Sequence, residues 1–303
     1  MHLLAAKPGG FSDDEGIIDL QQSAADIVIL AAQDSTLSML AQCAEQLPDH
    51  YPSIRLANFV NLTKPAAFDL YAHKVLEQAK LIIVSLLGGK AYLPYGVEQL
   101  QSICQRTGAQ LAIVPGDDQP DEELFSASTL DRQDLIRLWR YLREGGLRNT
   151  ENAYRFIQQT YFASSSLSSN HNDSNASAPF EEPRALPRTL IYCPHRHEQS
   201  FQEWQQQVAA RREQSDHDIP TAVLLFYRSH LQAGNTQAFS AFIDQLEQYG
   251  LAVLPIATAS LKEPECKALV DQLAQQSDCR VFLNTTAFSI RSVTKEQPLG
   301  NAH

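Results

Sequence analysis

The strongest constraint on this chain is a repeated alternation between short apolar runs and amphipathic helical patterns. Three runs rich in β-branched residues occur in its first half, at 26–32 (DIVILAA), 81–89 (LIIVSLLGG) and 111–118 (LAIVPGDD). Apolar residues spaced three or four apart predict helices at 37–46, 67–79 and 97–107. Strands that alternate with helices predict a doubly wound, parallel sheet.

The second half repeats this alternation. Strands are predicted in the segments RTLIYC, TAVLLFY, LAVLPIA and RVFLNTT, with helices at 201–212, 236–249 and 264–276. The last strand is followed by SVTKEQPLGNAH, which has no helical pattern to cover it. The fold class is therefore predicted as α/β, with two consecutive open, mostly parallel α/β domains, the second of them incomplete.

Between the two halves lie a helical region and a polar segment. Two helices are predicted within 131–162, separated by Gly145 and Gly146, and would cap the first domain. Residues 163–187 are rich in Ser, Asn and Pro and lack apolar periodicity, which predicts a flexible linker. The predicted boundaries are a first domain at 1–162, the linker at 163–187 and a second domain at 188–303.

Composition narrows the class of protein. The formal charge is −11 and the pI about 5.2, which argues against binding to nucleic acid or to an anionic membrane. The sequence has neither a signal-peptide pattern nor a run of roughly 20 apolar residues. Five cysteines without a C-x-x-C pair indicate neither a zinc ribbon nor a disulfide framework. A cytoplasmic protein is expected.

One loop is unusually rich in hydrogen-bonding groups. The segment FYRSHLQAGNT follows a predicted strand, where ligands bind in open α/β sheets. It carries Arg228, His230, Gln232, Gly234 and Asn235. A guanidinium, an imidazole and an amide together would suit a large ligand with carboxylates and amides. The competing structural reading is that Asn235 or Thr236 caps the next helix and that Gly234 supplies a positive φ.

A second polar loop, LLGGKAYLPYG at 86–96, follows the strand predicted in the apolar run at 81–89. Gly88 and Gly89 would permit close backbone approach, and Tyr92 and Tyr95 present flat faces that could lie against a macrocycle. The alternative is a tight turn with two packed tyrosines. Neither a P-loop nor a G-x-G-x-x-G motif is present, so nucleotide binding by this chain alone is not expected.

A metal site is weakly indicated. His195 and His197 lie two apart near Cys193 and would share a face in an extended segment, but no third ligand is evident and none is assigned. The acidic run at 115–123 is expected to be a solvated loop, with magnesium binding as the alternative.

Several segments occur in the order found in one family: MHLLAA, IRLANF, LLGGKAYLPYGVEQL, VPGDDQPDEEL, LWRYLREGG, FYRSHLQAGNT, SLKEPE and LNTTAFS. Their order resembles the CobN-type large subunit of aerobic cobaltochelatase, which is related to the magnesium chelatase H subunit. The resemblance covers nearly the whole chain apart from the linker and the last dozen residues. Family members are several times longer, which implies that this chain is an N-terminal fragment.

The resemblance implies a chelatase reaction. The family inserts cobalt(II), as a substrate, into hydrogenobyrinic acid a,c-diamide during aerobic cobalamin biosynthesis. The large subunit holds the corrinoid macrocycle, whereas ATP with Mg is hydrolysed by CobS- and CobT-type AAA+ partner subunits and not bound here. The fragment alone is not expected to be catalytic.

The resemblance also ranks the candidate site residues. The loop residues from Arg228 to Asn235 come first, and a second set follows them: Arg55, Asn58, Gly88, Gly89, Tyr92 and Tyr95. Either set could contact the corrinoid or the remaining domains. Metal insertion needs a base for the pyrrole protons and a ligand to deliver cobalt, and His230 is a candidate for either role. The alternative function is a non-enzymatic α/β module that binds a small ligand or a partner.

Overall fold

The computed structural model describes residues 18–162, 179–194, 198–215 and 217–287. The chain divides into two compact units between Arg184 and Ala185, here called unit 1 and unit 2. Each unit contains one open sheet with helices packed against it, so the predicted α/β class is confirmed.

Unit 1 alternates strands and helices as predicted. Its strands are β1 (Ile27–Ala31), β2 (Ile54–Asn58), β3 (Leu81–Leu86) and β4 (Gln110–Pro115). Its helices are α1 (Asp34–Ala44), α2 (Pro65–Lys74), α3 (Pro94–Thr107), α4 (Glu122–Ser126), α5 (Arg132–Glu144) and α6 (Leu147–Tyr161). The break between α5 and α6 falls at Gly145 and Gly146, as the sequence predicted.

The sheet of unit 1 is wholly parallel, in the order β2-β1-β3-β4. The three apolar runs form β1, β3 and β4. Strand β2 was not predicted, because Arg55 and Asn58 interrupt its apolar pattern; as an edge strand it is only partly buried. Apolar side chains fill both faces, with Phe68 of α2 and Val97 of α3 on one and Met39 of α1 and Tyr154 of α6 on the other.

The segment 179–184, which we call the strap, corrects part of the linker prediction. Arg137 of α5 donates to Glu182 at 2.9 Å, and its guanidinium lies 5.4 Å from the ring centre of Phe180. The side chain of Asn149 in α6 donates to the carbonyl of Arg184 and accepts its N–H, at 2.9 and 3.0 Å. The strap is thus held by polar contacts. The sequence prediction relied on the spacing of apolar residues, which does not detect such contacts. Residues 163–178 of the predicted linker lie outside the described residues.

Unit 2 has a mixed sheet. Its strands are β5 (Thr189–Ile191), β6 (Thr221–Tyr227), β7 (Ala252–Thr258) and β8 (Cys279–Asn284). Its helices are α7 (Phe201–Glu213), α8 (Ser229–Gln232), α9 (Gln237–Gln248) and α10 (Pro264–Gln276). The order is β5-β7-β6-β8, with β5 antiparallel to β7 and the other pairs parallel.

Local chemistry explains where the helices of unit 2 begin. Ser200 and Glu203 form a capping box at the start of α7, satisfying two backbone N–H groups. Pro264 starts α10, where its missing N–H costs no hydrogen bond. Trp204 then anchors α7 to the sheet by donating its indole N–H to the carbonyl of Val253 at 2.7 Å.

Strand β8 is less covered than a parallel strand normally is. Val281 is 39% exposed and Phe282 is 47% exposed. Because successive side chains of a strand point to opposite faces, these two neighbours present apolar side chains to solvent on both faces of β8.

Candidate functional site

Each sheet contains one position where ligands of open α/β folds usually bind. Such a crevice forms where two adjacent parallel strands send their following helices to opposite faces. In unit 1 these strands are β1 and β3, since α1 and α3 pack into different apolar cores. In unit 2 they are β6 and β7, since α9 and α10 pack on opposite faces. The two predicted polar loops begin at these crevices.

The segment after β6, which was predicted as a loop, contains a short helix. Helix α8 forms because Leu231 is buried in the core, at 7% exposure, which turns the chain back over the sheet. The backbone N–H of Arg228 donates to the carbonyl of Thr258 at 2.9 Å and joins the loop to the end of β7. Gly234 follows with φ of 72°, the positive angle that was anticipated.

Arg228 is engaged within unit 2. Its Nη1 donates to the carbonyl of Leu186 at 2.7 Å. Its charge also contributes to lowering the pKa of Glu263, although the main cause of that shift is the hydrogen bonding from Arg188. Arg188 donates through Nε to Glu263 at 2.6 Å. Arg188 thus pairs with Glu263 in this crevice, and the charge of Arg228 acts on the same carboxylate, so two positive charges accompany one negative charge.

His230 has the environment of a neutral imidazole. It is partly buried, its ring lies 4.8 Å from that of Phe239, and burial lowers its pKa. A neutral imidazole can accept a proton or ligate a metal, so the ring can serve either role that the sequence suggested. Gln232 is partly buried on the same short helix, whereas Asn235 is exposed.

The predicted side-chain cap of α9 is wrong. The N-cap is Thr236, with φ of −106° and ψ of −9°, and it makes no side-chain capping hydrogen bond. Its backbone is near the helical region rather than the extended region that N-caps adopt. Asn235 instead donates its backbone N–H to the carbonyl of His230 at 2.9 Å, which closes the turn after α8.

At the crevice of unit 1, the turn after β3 depends on glycine. Gly88 and Gly89 have φ of 84° and 77°. A Cβ atom on Gly88 would lie 2.3 Å from the ring of Tyr92, so the tyrosine packs directly on this glycine. Tyr92 is nevertheless 48% exposed and presents the other side of its ring to solvent. A Cβ on Gly89 would lie 3.4 Å from Oδ2 of Asp121, which brings the loop after β4 to the same turn.

Three other predicted residues have internal roles. Tyr95 donates its hydroxyl to Asp69 at 2.6 Å, which raises the pKa of Tyr95. Asn58 donates to Asp34 at 2.8 Å and accepts from the N–H of Val60, capping the turn after β2. Arg55 is separate from both, because it donates to Ser23 and to the carbonyl of Ile54. The second set of candidates therefore does not converge on one site.

Sequence reasoning missed other residues at the crevices. Gln33 donates to the carbonyl of Gly116 at 3.1 Å and links the loops after β1 and β4. In unit 2, the hydroxyls of Thr189 and Thr258 are 2.8 Å apart across β5 and β7. Glu263 lies in the segment SLKEPE, so the family resemblance could have identified it as a candidate. Gln33 lies in no such segment, and nothing in the sequence marks it as a site residue.

The metal prediction can be compared with the structure only for the described residues. Within the four described ranges, no three His, Cys, Asp or Glu side chains are placed to hold a metal ion. His195 and His197 lie outside the described residues. In the acidic run, Asp121 caps α4 by accepting hydrogen bonds from the N–H groups of Glu123 and Leu124 at 2.9 and 3.1 Å.

None of the helices described is long and apolar enough to span a membrane.

Comparison with known proteins relates this chain to one family. The family model described as CobN/Magnesium Chelatase matches residues 139–302. An aerobic cobaltochelatase subunit CobN from Pseudomonas aeruginosa is 44% identical over 289 residues, which is 95% of this chain. A protein of the same name from Sinorhizobium sp is 33% identical over 293 residues, or 96% of this chain. The chain spans 22% of the length of each of these relatives.

A solved structure shows the same fold. The catalytic subunit of cobaltochelatase from Mycobacterium tuberculosis aligns with 80% of this chain and 17% of its own, with a TM-score of 0.56. At 22% sequence identity, this similarity concerns the fold alone.

Proposed function

Because the chain belongs to the CobN/Magnesium Chelatase family, we propose that it forms part of the large subunit of an ATP-dependent cobaltochelatase. The observation that carries the proposal is 44% identity to a CobN subunit over 95% of this chain. The chain spans 22% of that relative, and as part of the proposal it acts as one portion of a larger enzyme rather than as a catalyst on its own.

The proposed reaction is the insertion of cobalt(II) into hydrogenobyrinic acid a,c-diamide, in the cytoplasm, during aerobic cobalamin biosynthesis. Cobalt is a substrate of this reaction. ATP and Mg are used by CobS- and CobT-type AAA+ subunits, a division consistent with the missing phosphate-binding motifs in this sequence. The acidic charge of −11 supports partners other than nucleic acid or membranes.

Within this portion, we assign corrinoid contacts to the crevice of unit 2. Arg188 and Arg228 supply positive charge toward ligand carboxylates, and the amide of Gln232 can pair with a ligand amide. His230 is a candidate for receiving a pyrrole proton, since burial favours its neutral form. Tyr92 of unit 1 offers a flat face to a ligand of its own crevice or to the rest of the subunit.

A chimera tests this proposal. The matching segment of the Pseudomonas aeruginosa CobN is replaced by this chain, and cobalt insertion is followed by corrinoid absorbance with CobS- and CobT-type subunits present. We expect insertion to be retained, and His230→Ala to reduce it. Tyr249→Ala is the matched control, because this residue of unit 2 is 84% exposed.

The outcomes separate function from folding. A chimera that is folded and assembles with its partners but inserts no cobalt would contradict the chelatase role and favour a non-enzymatic binding module. Equal activity of the His230→Ala and Tyr249→Ala chimeras would remove His230 from the proposed site and leave the family assignment intact.

A further inference from the structure

A separate concave surface lies in unit 2, beside β5 rather than between β6 and β7. It is a groove open to solvent, here called the cavity, with a volume of about 510 Å³, bounded by the edge of β5, the start of α7 and one side of α10. This volume is in the range of natural ligand pockets, which is about 300–1,000 Å³. The corrinoid contacts proposed above do not use it.

Strand β5 ends the sheet and leaves backbone groups on its outer edge. The carbonyl of Arg188 accepts from the N–H of Ala259, and the N–H of Tyr192 donates to the carbonyl of Pro255, so these residues face β7. In an antiparallel pair the intervening residues face the opposite way. The N–H and C=O of Thr189 therefore point outward. Among the described residues, Gln199 alone pairs on that edge, by donating its N–H to the carbonyl of Ile191.

The cavity combines an apolar floor with hydrogen-bond acceptors. Leu273 and Leu269 form part of the floor, and Leu269 is 37% exposed. Glu198 and Glu203 contribute negative charge, although the Glu203 carboxylate also accepts hydrogen bonds from Ser200 in the capping box, and none of the residues lining the cavity is a lysine or an arginine. Gln199 also lines the cavity. Such a surface suits an alkyl chain that ends in N–H donors.

We propose that the β5 edge and this cavity bind an extended polypeptide segment from a partner molecule, with one lysine or arginine side chain in the cavity. The outward backbone groups of Thr189 favour an added strand over a free small cation. The side chain of Ile191 packs in the same core as Leu273, so side chains of an added strand on that face would point toward the cavity. The two glutamates select a basic side chain by charge complementarity.

Peptide binding tests the proposal with the whole 303-residue chain. The probes are acetylated, amidated pentapeptide mixtures with arginine fixed at the centre, with norleucine fixed there, and with arginine fixed but the backbone N-methylated. We expect the arginine mixture to bind at least about tenfold more tightly than either other mixture, measured by calorimetry. The norleucine probe tests the charge, and the N-methylated probe tests strand addition.

A pair of variants locates the site. Leu269→Lys places a cation in the cavity and is expected to weaken binding of the arginine mixture at least about tenfold. Tyr249→Lys is the control, since it introduces the same residue, lysine, at an exposed position outside the cavity lining. Circular dichroism melts establish that both variants are folded.

Four results would overturn the proposal. They are no binding of arginine peptides by the folded chain, equal binding by Leu269→Lys, equal affinity for agmatine, and self-association abolished by Leu269→Lys without peptide binding. The third would indicate a site for a small organic cation, and the fourth an interface with a second copy. Because the test uses no corrinoid or cobalt, it is independent of the proposed chelatase function.

Discussion

Replacing Gly88 with alanine should destabilise unit 1 more than the same change at Gly108. Both glycines have a positive φ, 84° and 78°. They differ in their surroundings, because a Cβ on Gly88 would lie 2.3 Å from the ring of Tyr92, whereas a Cβ on Gly108 would meet nothing within 4 Å. Gly108 therefore isolates the cost of the backbone angle, and Gly88 adds the displacement of a ring.

The magnitudes follow from these two terms. An L-residue in the left-handed region costs about 1–2 kcal/mol, and alanine recovers about 0.4–1 kcal/mol by restricting the unfolded chain. The net loss at Gly108 is then about 1 kcal/mol. At Gly88 the half-buried ring must also move; if it loses roughly 50 Å² of apolar contact at about 25 cal/mol per Å², a further loss of about 1 kcal/mol results. We expect a total of about 2 kcal/mol at Gly88.

The assay is hydrogen exchange of the β3 amides across a urea series, which gives a free energy of unfolding for unit 1 within the whole chain. Gly88→Ala is compared with Gly108→Ala, and both are repeated in a Tyr92→Ala background. Removing the ring should reduce the cost of Gly88→Ala to that of Gly108→Ala. Equal losses for the two glycines with Tyr92 present, or no relief in its absence, would refute the packing of Tyr92 on Gly88.

Three further predictions concern other parts of the chain. Arg137→Ala removes the ion pair with Glu182 and should speed hydrogen exchange in the strap. Arg132 lies on the same helix, but Arg132→Ala removes only an exposed ion pair with Glu122 and should not have this effect. Because burial lowers the pKa of folded His230, the unfolded state binds more protons, so unit 2 should lose stability as the pH falls below about 6.5. His230→Gln should flatten that slope in urea titrations at several pH values. Phe282→Lys should reduce self-association measured by light scattering more than Tyr249→Lys, because Phe282 exposes apolar surface at a sheet edge; an equal effect would count against β8 as the cause.

Much of the fold was predictable because burial and backbone constraints leave a mark on the sequence. The segment TAVLLFY has the bounds of β6, since a strand buried on both faces reads as a continuous apolar run. The helix predicted at 264–276 has the bounds of α10, because Pro264 restricts where it begins. Strand β2 was missed for the converse reason: it lies at an edge, is half-buried and contains Arg55 and Asn58.

The candidate sites were less predictable, because a polar residue in a loop can serve the fold or a ligand. Asn58 and Tyr95 looked equivalent to Tyr92 in the sequence, but their polar groups are bonded to Asp34 and Asp69, respectively. Such pairings join residues more than 20 positions apart and depend on the sheet order, which sequence patterns do not specify. The strap shows the same limit, since its partners are polar groups on α5 and α6.

Charge distinguishes the two crevices as candidate sites for the proposed corrinoid ligand. The unit 1 crevice has Asp34 after β1 and Asp121 beside Gly89, which would repel ligand carboxylates. The unit 2 crevice has the Arg188–Glu263 pair and the additional positive charge of Arg228. A macrocycle with carboxylates should therefore prefer unit 2, and because the attraction is between charges, its affinity should fall as salt is added. Arg228 is already bonded to the carbonyl of Leu186, so a ligand carboxylate would share its planar guanidinium with that carbonyl. Lysine at this position would keep the charge but would lose the ability to hold both partners at fixed angles.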